Sequence, residues 1–147
     1  MYIDEWNESA VMTAATDANM SAMKQACRLV ERDVKQSYPK KGTGRTVQGV
    51  WKEGKWYRVH GKKHFASAPG TPPARLSGNL LQSTHSEVVE GPLNIQGFVG
   101  SDLDYALWLE TGTYKKKKGN IAPRPYLRPA LQRKHDEIER IFKEANS

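Results

Sequence analysis

The chain has 147 residues, a net charge of +7 at neutral pH and an apolar fraction of 37%, which together indicate one domain with a modest core. Its single cysteine, Cys27, excludes an intrachain disulfide and a cysteine-rich metal site. No apolar run approaches the roughly 20 residues that span a bilayer, so we expect no contact with a membrane.

The basic charge favours contact with nucleic acid or with an acidic protein surface, although a protein that is merely basic has the same composition. The first ten residues, MYIDEWNESA, lack the basic-then-apolar pattern of an export signal. We therefore expect the chain to stay in the cytosol of the cell that makes it.

The first segment is predicted to be a long helix. Its apolar residues recur at a 3-4-3-4 spacing along one stripe: Met20, Met23, Cys27, Val30 and Val34. The helix begins near Asp4, unless it is broken and starts again with Asp17 or Ser21 as the cap, and it ends before Pro39. The stripe favours packing against the core, with an intersubunit seam as the alternative.

Residues 40–73 form a flexible basic and aromatic region. A β-hairpin is expected over residues 47–59, with its turn at residues 52–55, followed by a proline-glycine linker over residues 67–73. Trp51 and Trp56 alternate with lysine and arginine. Such a hairpin either stacks on single-stranded nucleic acid or packs its aromatics on its own core or on a neighbouring subunit.

The second half predicts a short helix over residues 76–83, strands over residues 84–90 and 94–100, and a short helix over residues 105–110 capped by Asp102 or Asp104. A last helix from about Pro129 to Ala145 is expected to turn Leu131, Ile138, Ile141 and Phe142 inward. The predicted fold class is α+β. A long N-terminal helix and a C-terminal helix pack on a small, mostly antiparallel sheet with a projecting hairpin, all in one domain over residues 1–147.

Glycine and proline shape the segment between the last two helices. Gly112 can adopt a positive φ and stop the helix before it, and three prolines make residues 122–126 stiff and extended. Glu110 is expected to form an ion pair or a hydrogen bond within this turn, with Arg124 or Arg128 as its partner. The alternative is that Glu110 acts as a general acid or base.

This segment resembles the small neck, or tail-completion, proteins of long-tailed bacteriophages, which are also described as tail components. The residues that carry the resemblance are Tyr105, Ala106, Glu110, Gly112, Thr113, Pro123, Arg124, Pro125, Tyr126, Leu127, Arg128, Pro129 and Ala130. A second similar segment lies upstream, at Pro72, Pro73, Arg75, Leu76, Ser77, Gly78, Asn79, Leu80 and Ser83. The resemblance covers roughly residues 69–147 and, more loosely, the N-terminal helix.

The resemblance implies a structural virion protein that forms a ring, with six copies expected, and joins the head connector to the tail tube or its terminator. The protein would be assembled in the host cytoplasm and located in the virion neck. The residues expected at subunit or partner interfaces are Tyr105, Trp108, Glu110, Gly112, Thr113, Arg124, Pro125, Tyr126, Leu127, Arg128 and Pro129.

Two features depart from the family pattern: the aromatic segment from Trp51 to Phe65, and the lysine run Lys115, Lys116, Lys117 and Lys118. The lysine run is either a solvated loop or a ring of positive charge that faces packaged DNA or an acidic partner, and Trp51 and Trp56 are the other candidate contacts.

No residue pattern indicates catalysis. His60 and His64 have a spacing that suits a metal only on a helix, and no carboxylate lies beside them. We therefore expect no catalytic residues, no metal, no cofactor and no enzymatic activity. The alternative to the neck protein is a basic accessory protein that binds nucleic acid through the aromatic hairpin.

Overall fold

The computed structural model describes residues 8–40, 42, 46–47, 49–53, 55–58, 64–65, 67–75, 77–91, 94–113 and 121–147. It confirms the α+β class, with long helices near both ends and antiparallel strands between them. The elements, in chain order, are α1 (Glu8–Ser37), β1 (Thr46–Val47), β2 (Gly49–Lys52), β3 (Lys55–Arg58), β4 (His64–Phe65), α2 (Asn79–Ser83), β5 (Thr84–Glu90), β6 (Ile95–Ser101), α3 (Asp104–Thr111) and α4 (Leu127–Ala145).

The helix α1 runs unbroken from Glu8 to Ser37, so neither Asp17 nor Ser21 starts a second helix. Its apolar stripe faces the core as predicted: Val34 is fully buried, and Cys27 and Val30 are nearly so. The helix ends two residues before Pro39, as the proline requires.

The hairpin of β5 and β6 packs on α1, with Thr84 opposite Ser101 and Glu90 opposite Ile95. Gly97 allows this close approach, because a Cβ there would collide with the Cys27 Sγ and lie 2.7 Å from the Met23 Sδ. Among the described residues, only one face of this hairpin is covered. Phe98, on the other face, remains 52% exposed within this chain.

The helix α4 lies antiparallel to α1 and covers its other side. Arg133 donates two hydrogen bonds to Asp33, at 2.6 and 3.1 Å, and Asn146 donates to Asn19 at 3.0 Å. A later residue of α4 thus contacts an earlier residue of α1, which shows that the two helices run in opposite directions. The buried core lies where α1 meets the start of α4, and it comprises Val30, Val34, Tyr38, Tyr126 and Ala130.

The aromatic hairpin predicted between residues 47 and 59 is present as β2 and β3, which pair Trp51 with Trp56 and Lys52 with Lys55. Glu53, in the turn, has a φ of 48°. A separate two-stranded ladder joins β1 to β4. Within the part of the chain that the structure describes, no helix is long and apolar enough to cross a membrane.

Several boundaries and orientations differ from the predictions. The helix α2 begins at Asn79 rather than at residue 76, β6 lies one residue later than expected, and α4 begins at Leu127 rather than at Pro129. The residue before α3 is Leu103, which has no side-chain cap, so neither Asp102 nor Asp104 caps that helix. Leu131 is 53% exposed and does not lie in the core.

Candidate functional site

The carboxylate of Glu110 connects the end of α3 to the start of α4. Its Oε2 accepts hydrogen bonds from the backbone N–H of Tyr126 at 2.7 Å and of Leu127 at 3.0 Å, and its Oε1 accepts from that of Arg128 at 3.0 Å. The first N–H groups of a helix have no partner within the helix, and a negative charge there also complements the helix dipole. Glu110 thus caps α4 from a distant position in the sequence, which explains why α4 begins before Pro129.

Of the expected partners of Glu110, Arg128 does form a hydrogen bond with it, through its backbone N–H, whereas the prediction of an ion pair with either arginine is wrong. The side chain of Arg124 donates from Nε to the carbonyl of Ser67 at 3.1 Å and from Nη1 to the carbonyl of Ala122 at 3.2 Å. Arg128 meets Glu110 only through its backbone N–H. The physical reason is that the backbone N–H groups at the start of α4 need an acceptor. The Arg128 side chain is exposed to water, and the Arg124 guanidinium group is satisfied by two carbonyls.

The proline-containing segment over residues 121–126, which we call the arm, is held from both sides. The Arg124 N–H donates to the Leu109 carbonyl at 2.6 Å, and the Gly70 N–H donates to the Pro123 carbonyl at 2.8 Å. Thr113 and Ile121 pair across the arm's start, where the Thr113 N–H donates to the Ile121 carbonyl. The arm's backbone is therefore bonded within its own chain.

Gly112 has the positive φ that the sequence predicted, at 76°. A Cβ at Gly112 would also lie 2.8 Å from the Ile121 carbonyl oxygen, so a larger residue would displace the arm. Pro125 is half-buried, and Pro129 lies in the first turn of α4, where a proline is tolerated.

Tyr126 does not form a subunit interface, because its side chain is fully buried within its own chain. Its ring lies 5.4 Å from that of Tyr38 in a tilted arrangement, and the Tyr38 hydroxyl is hydrogen-bonded to the Thr84 hydroxyl at 3.1 Å. Burial raises the pKa of Tyr126 to about 12 and also raises that of Tyr38. Leu127 likewise packs partly against the core.

An exposed apolar surface covers the outer side of α3 and the start of the arm. We call it the α3 ridge, and its residues and exposed fractions are Tyr105 39%, Leu107 65%, Trp108 43% and Ile121 40%. The sequence prediction included Tyr105 and Trp108 but missed Leu107 and Ile121. Leu107 could have been found on a helical wheel, since the inward positions of α3 are Ala106, Leu109 and Glu110.

A second apolar surface is concave. It is an open groove of about 430 Å³ between α1, β6 and α4, which we call the α1–α4 groove, and its lining includes Met23, Cys27, Val30, Val99, Leu131 and Phe142. Arg128 also lines it, with an exposed side chain. Sequence reasoning missed this groove because its apolar residues follow the same periodicity as buried ones.

Two regions were predicted to contact nucleic acid, and the structure describes only one of them. Trp51 and Trp56 occupy paired backbone positions in the hairpin of β2 and β3. Lys115, Lys116, Lys117 and Lys118 lie outside the described residues. The structure therefore bears on the hairpin prediction through backbone register only.

Among the described residues, no three histidine, cysteine or acidic side chains are placed to hold a metal ion. The pKa of His85 is raised, chiefly by its hydrogen bond to the Ser83 carbonyl and then by the charge of Asp102. Burial raises the pKa of the Cys27 thiol. No protein-family model, curated protein or solved structure shows significant similarity to this chain.

Proposed function

We propose that this protein is a structural component of a phage virion that assembles into a ring, taken as hexameric, and joins the head connector to the tail. The proposal rests on the resemblance of residues 69–147 to neck and tail-completion proteins. The observation that supports it best is the α3 ridge, where four large apolar side chains are exposed on α3 and on the segment paired with Thr113. Exposed apolar surface on a folded chain is typical of a protein–protein contact.

The anchoring of the ridge also supports a role in docking. The far end of α3 is fixed to α4 by the three hydrogen bonds of Glu110, and the arm beside it is fixed by Arg124. A surface held by rigid elements loses little conformational entropy when a partner covers it. The ridge is therefore a preformed contact surface rather than one that must fold on binding.

Complementation of a phage that lacks this gene, scored by electron microscopy, tests the proposal. The wild-type chain is expected to restore joined virions, and Leu107→Asp is expected to leave separate heads and tails because it places a charge in the contact. Gln132→Asp, at an exposed position of α4 outside both apolar surfaces, is the matched control and should restore joining. Full joining by Leu107→Asp, or none by the wild-type chain, would count against the proposal.

Nucleic-acid binding is the second candidate function, and the register of the hairpin favours it. Trp51 pairs with Trp56, and the next position pairs Lys52 with Lys55, so aromatic and basic residues occupy neighbouring ladder positions. Stacking of a base on an aromatic side chain contributes about 1–3 kcal/mol. Trp56→Ala should then weaken binding of a single-stranded oligonucleotide in gel shifts at two salt concentrations, and no binding by the wild-type chain at low salt would remove this candidate.

A further inference from the structure

We infer that the α3 ridge of one copy of this chain seats in the α1–α4 groove of the next copy, so that the ring closes through a head-to-tail contact. This inference rests on the proposed function, and it identifies which surfaces meet. A head-to-tail contact requires two different, complementary surfaces on one chain. The ridge and the groove meet this requirement, since one is made of exposed side chains, the other is concave, and they share no residue.

The sizes of the two surfaces agree. A cavity of about 150 Å³ holds a single benzene ring, so a groove of 430 Å³ has room for roughly three groups of that size. The indole of Trp108 together with the Leu107 side chain is an occupant of this size. Leu131 at the groove and Leu107 on the ridge are the two most exposed large apolar residues among those described, and this contact would cover both.

The charges around the groove favour an acidic occupant. Arg128 lines the groove with an exposed guanidinium group, and Lys24 and Arg28 are exposed beside groove residues of α1. On the same two helices, the carboxylates of Asp33 and Glu137 are paired with Arg133 and Lys134. Glu139, beside the groove residue Ile138, lies 3.7 Å from the Lys143 ammonium group.

The N-terminal end of the ridge carries the opposite charge. Asp104 opens α3, the last turn of that helix has no basic residue, and the Asp102 side chain just before it is 86% exposed. Contact between two ridges would bring these carboxylates together, whereas contact between ridge and groove places them near Arg128. Complementary charges of this kind select one pairing of surfaces over another.

The expected area is sufficient only if the polar rims also take part. An aromatic side chain buries about 150–250 Å² when it is fully covered, so Tyr105 and Trp108 supply the apolar centre of the contact. A stable interface buries about 800 Å² on each partner. The remainder must come from Leu107, Ile121 and the charged groups at both rims.

Disulfide cross-linking tests the contact. The Cys27→Ala background removes the only native thiol, and Leu107→Cys and Leu131→Cys then place one thiol on the ridge and one at the groove. Oxidation of the assembled protein, both concentrated in solution and in complemented particles, should give a ladder of covalent multimers that ends at the closed ring. Circular dichroism of the reduced variant establishes that it is folded.

The control joins Leu107→Cys with Gln132→Cys, which lies next to Leu131 on α4 and outside the groove lining, and should give no ladder. Three results would overturn the inference. The first is the absence of a ladder both in solution and in particles. The second is a dimer formed by Leu107→Cys alone, which would indicate contact between two ridges. The third is a fast-migrating monomer of the double variant, which would indicate a contact within one chain.

The inference and the proposed function can fail separately. Joined virions from the double variant without a ladder would leave the neck function standing and remove this contact. A ladder from a wild-type-like fold that never restores joining would retain the contact and remove the neck function.

Discussion

The carboxylate of Glu110 lies 2.7 Å from the backbone nitrogen of Tyr126, sixteen residues later. This is one of three hydrogen bonds through which Glu110 caps α4. Hydrogen bonds to a charged group contribute about 1.5–3 kcal/mol each when buried, and a local N-cap contributes about 0.5–2 kcal/mol. Because Glu110 is only half-buried, we expect its three hydrogen bonds together to contribute less than three buried bonds would.

Glu110→Ala is therefore expected to lower the free energy of unfolding by about 1–3 kcal/mol. Urea titration followed by circular dichroism measures this change. Glu110→Gln should give an intermediate loss, because it keeps one acceptor oxygen but loses the charge. Glu90→Ala, at an exposed carboxylate of β5, is the control, and an equal midpoint for Glu110→Ala and Glu90→Ala would show that the cap has no energetic role.

Arg124→Lys should loosen the arm, although it preserves the positive charge. The guanidinium group donates from two nitrogens to the carbonyls of Ser67 and Ala122, and a lysine ammonium cannot reproduce that planar geometry. We expect a loss of about 1–2 kcal/mol and faster proteolytic cleavage within residues 67–75. Arg140→Lys on the exposed side of α4 should change neither, and a native-like cleavage rate for Arg124→Lys would contradict the prediction.

Stability should fall steeply at alkaline pH because of the two buried tyrosines. An unfolded tyrosine has a pKa of about 10, whereas burial raises the pKa of Tyr126 to about 12 and also raises that of Tyr38. The folded state thus holds these protons more tightly, and the resulting contribution to the free energy of unfolding is fully present below pH 10. It is lost as the pH rises from 10 through 12, at up to about 1.4 kcal/mol per pH unit for each tyrosine.

Tyr126→Phe provides the control for this pH dependence. The Tyr126 hydroxyl makes at most a weak contact with the Tyr38 side chain, so its removal should leave stability at neutral pH nearly unchanged. The same substitution should roughly halve the alkaline slope measured by urea unfolding. An unchanged slope would mean that Tyr126 titrates like an exposed tyrosine.

Gly97→Ala is expected to destabilise the packing of β6 on α1. The added methyl group collides with Cys27 Sγ and lies 2.7 Å from Met23 Sδ, and overpacking of this kind costs about 1–3 kcal/mol. Gly100→Ala is a matched control on the same strand, because a Cβ there meets nothing within 4 Å.

Two further measurements connect this loss to Cys27. Adding Cys27→Ala to Gly97→Ala should restore part of the stability, since it removes the sulfur that the methyl group meets. The Cys27 thiol should react slowly in the native protein and faster in Gly97→Ala, because burial raises its pKa and hinders access. Equal reaction rates in both proteins would contradict the proposed collision.

Local patterns predicted the elements of this fold better than their relationships. The spacing of Val30 and Val34 identified the buried side of α1, and Pro39 identified its end, because both effects act within a few residues. The role of Glu110 was missed since it depends on where α4 lies in space. A carboxylate near two arginines suggests an ion pair, and only the folded chain shows that three unpaired N–H groups are closer.

The α1–α4 groove was missed for a related reason. Met23, Cys27 and Leu131 have the periodicity of core residues, and a sequence does not show whether the next element covers them. For Tyr126 the error was the reverse, because a residue expected at a subunit interface is buried. Its ring packs beside that of Tyr38 inside the chain.

The antiparallel packing of α1 against α4 has a consequence for biosynthesis. Val34 is covered by Tyr126 and Ala130, which a ribosome adds roughly 5–20 s later at typical rates of 5–20 residues per second. The β5–β6 hairpin can cover one side of the first helix earlier, but the side that meets α4 stays uncovered until Tyr126 and Ala130 have been made. A nascent chain stalled before Leu127 should therefore keep part of this apolar stripe exposed and should be held by chaperones.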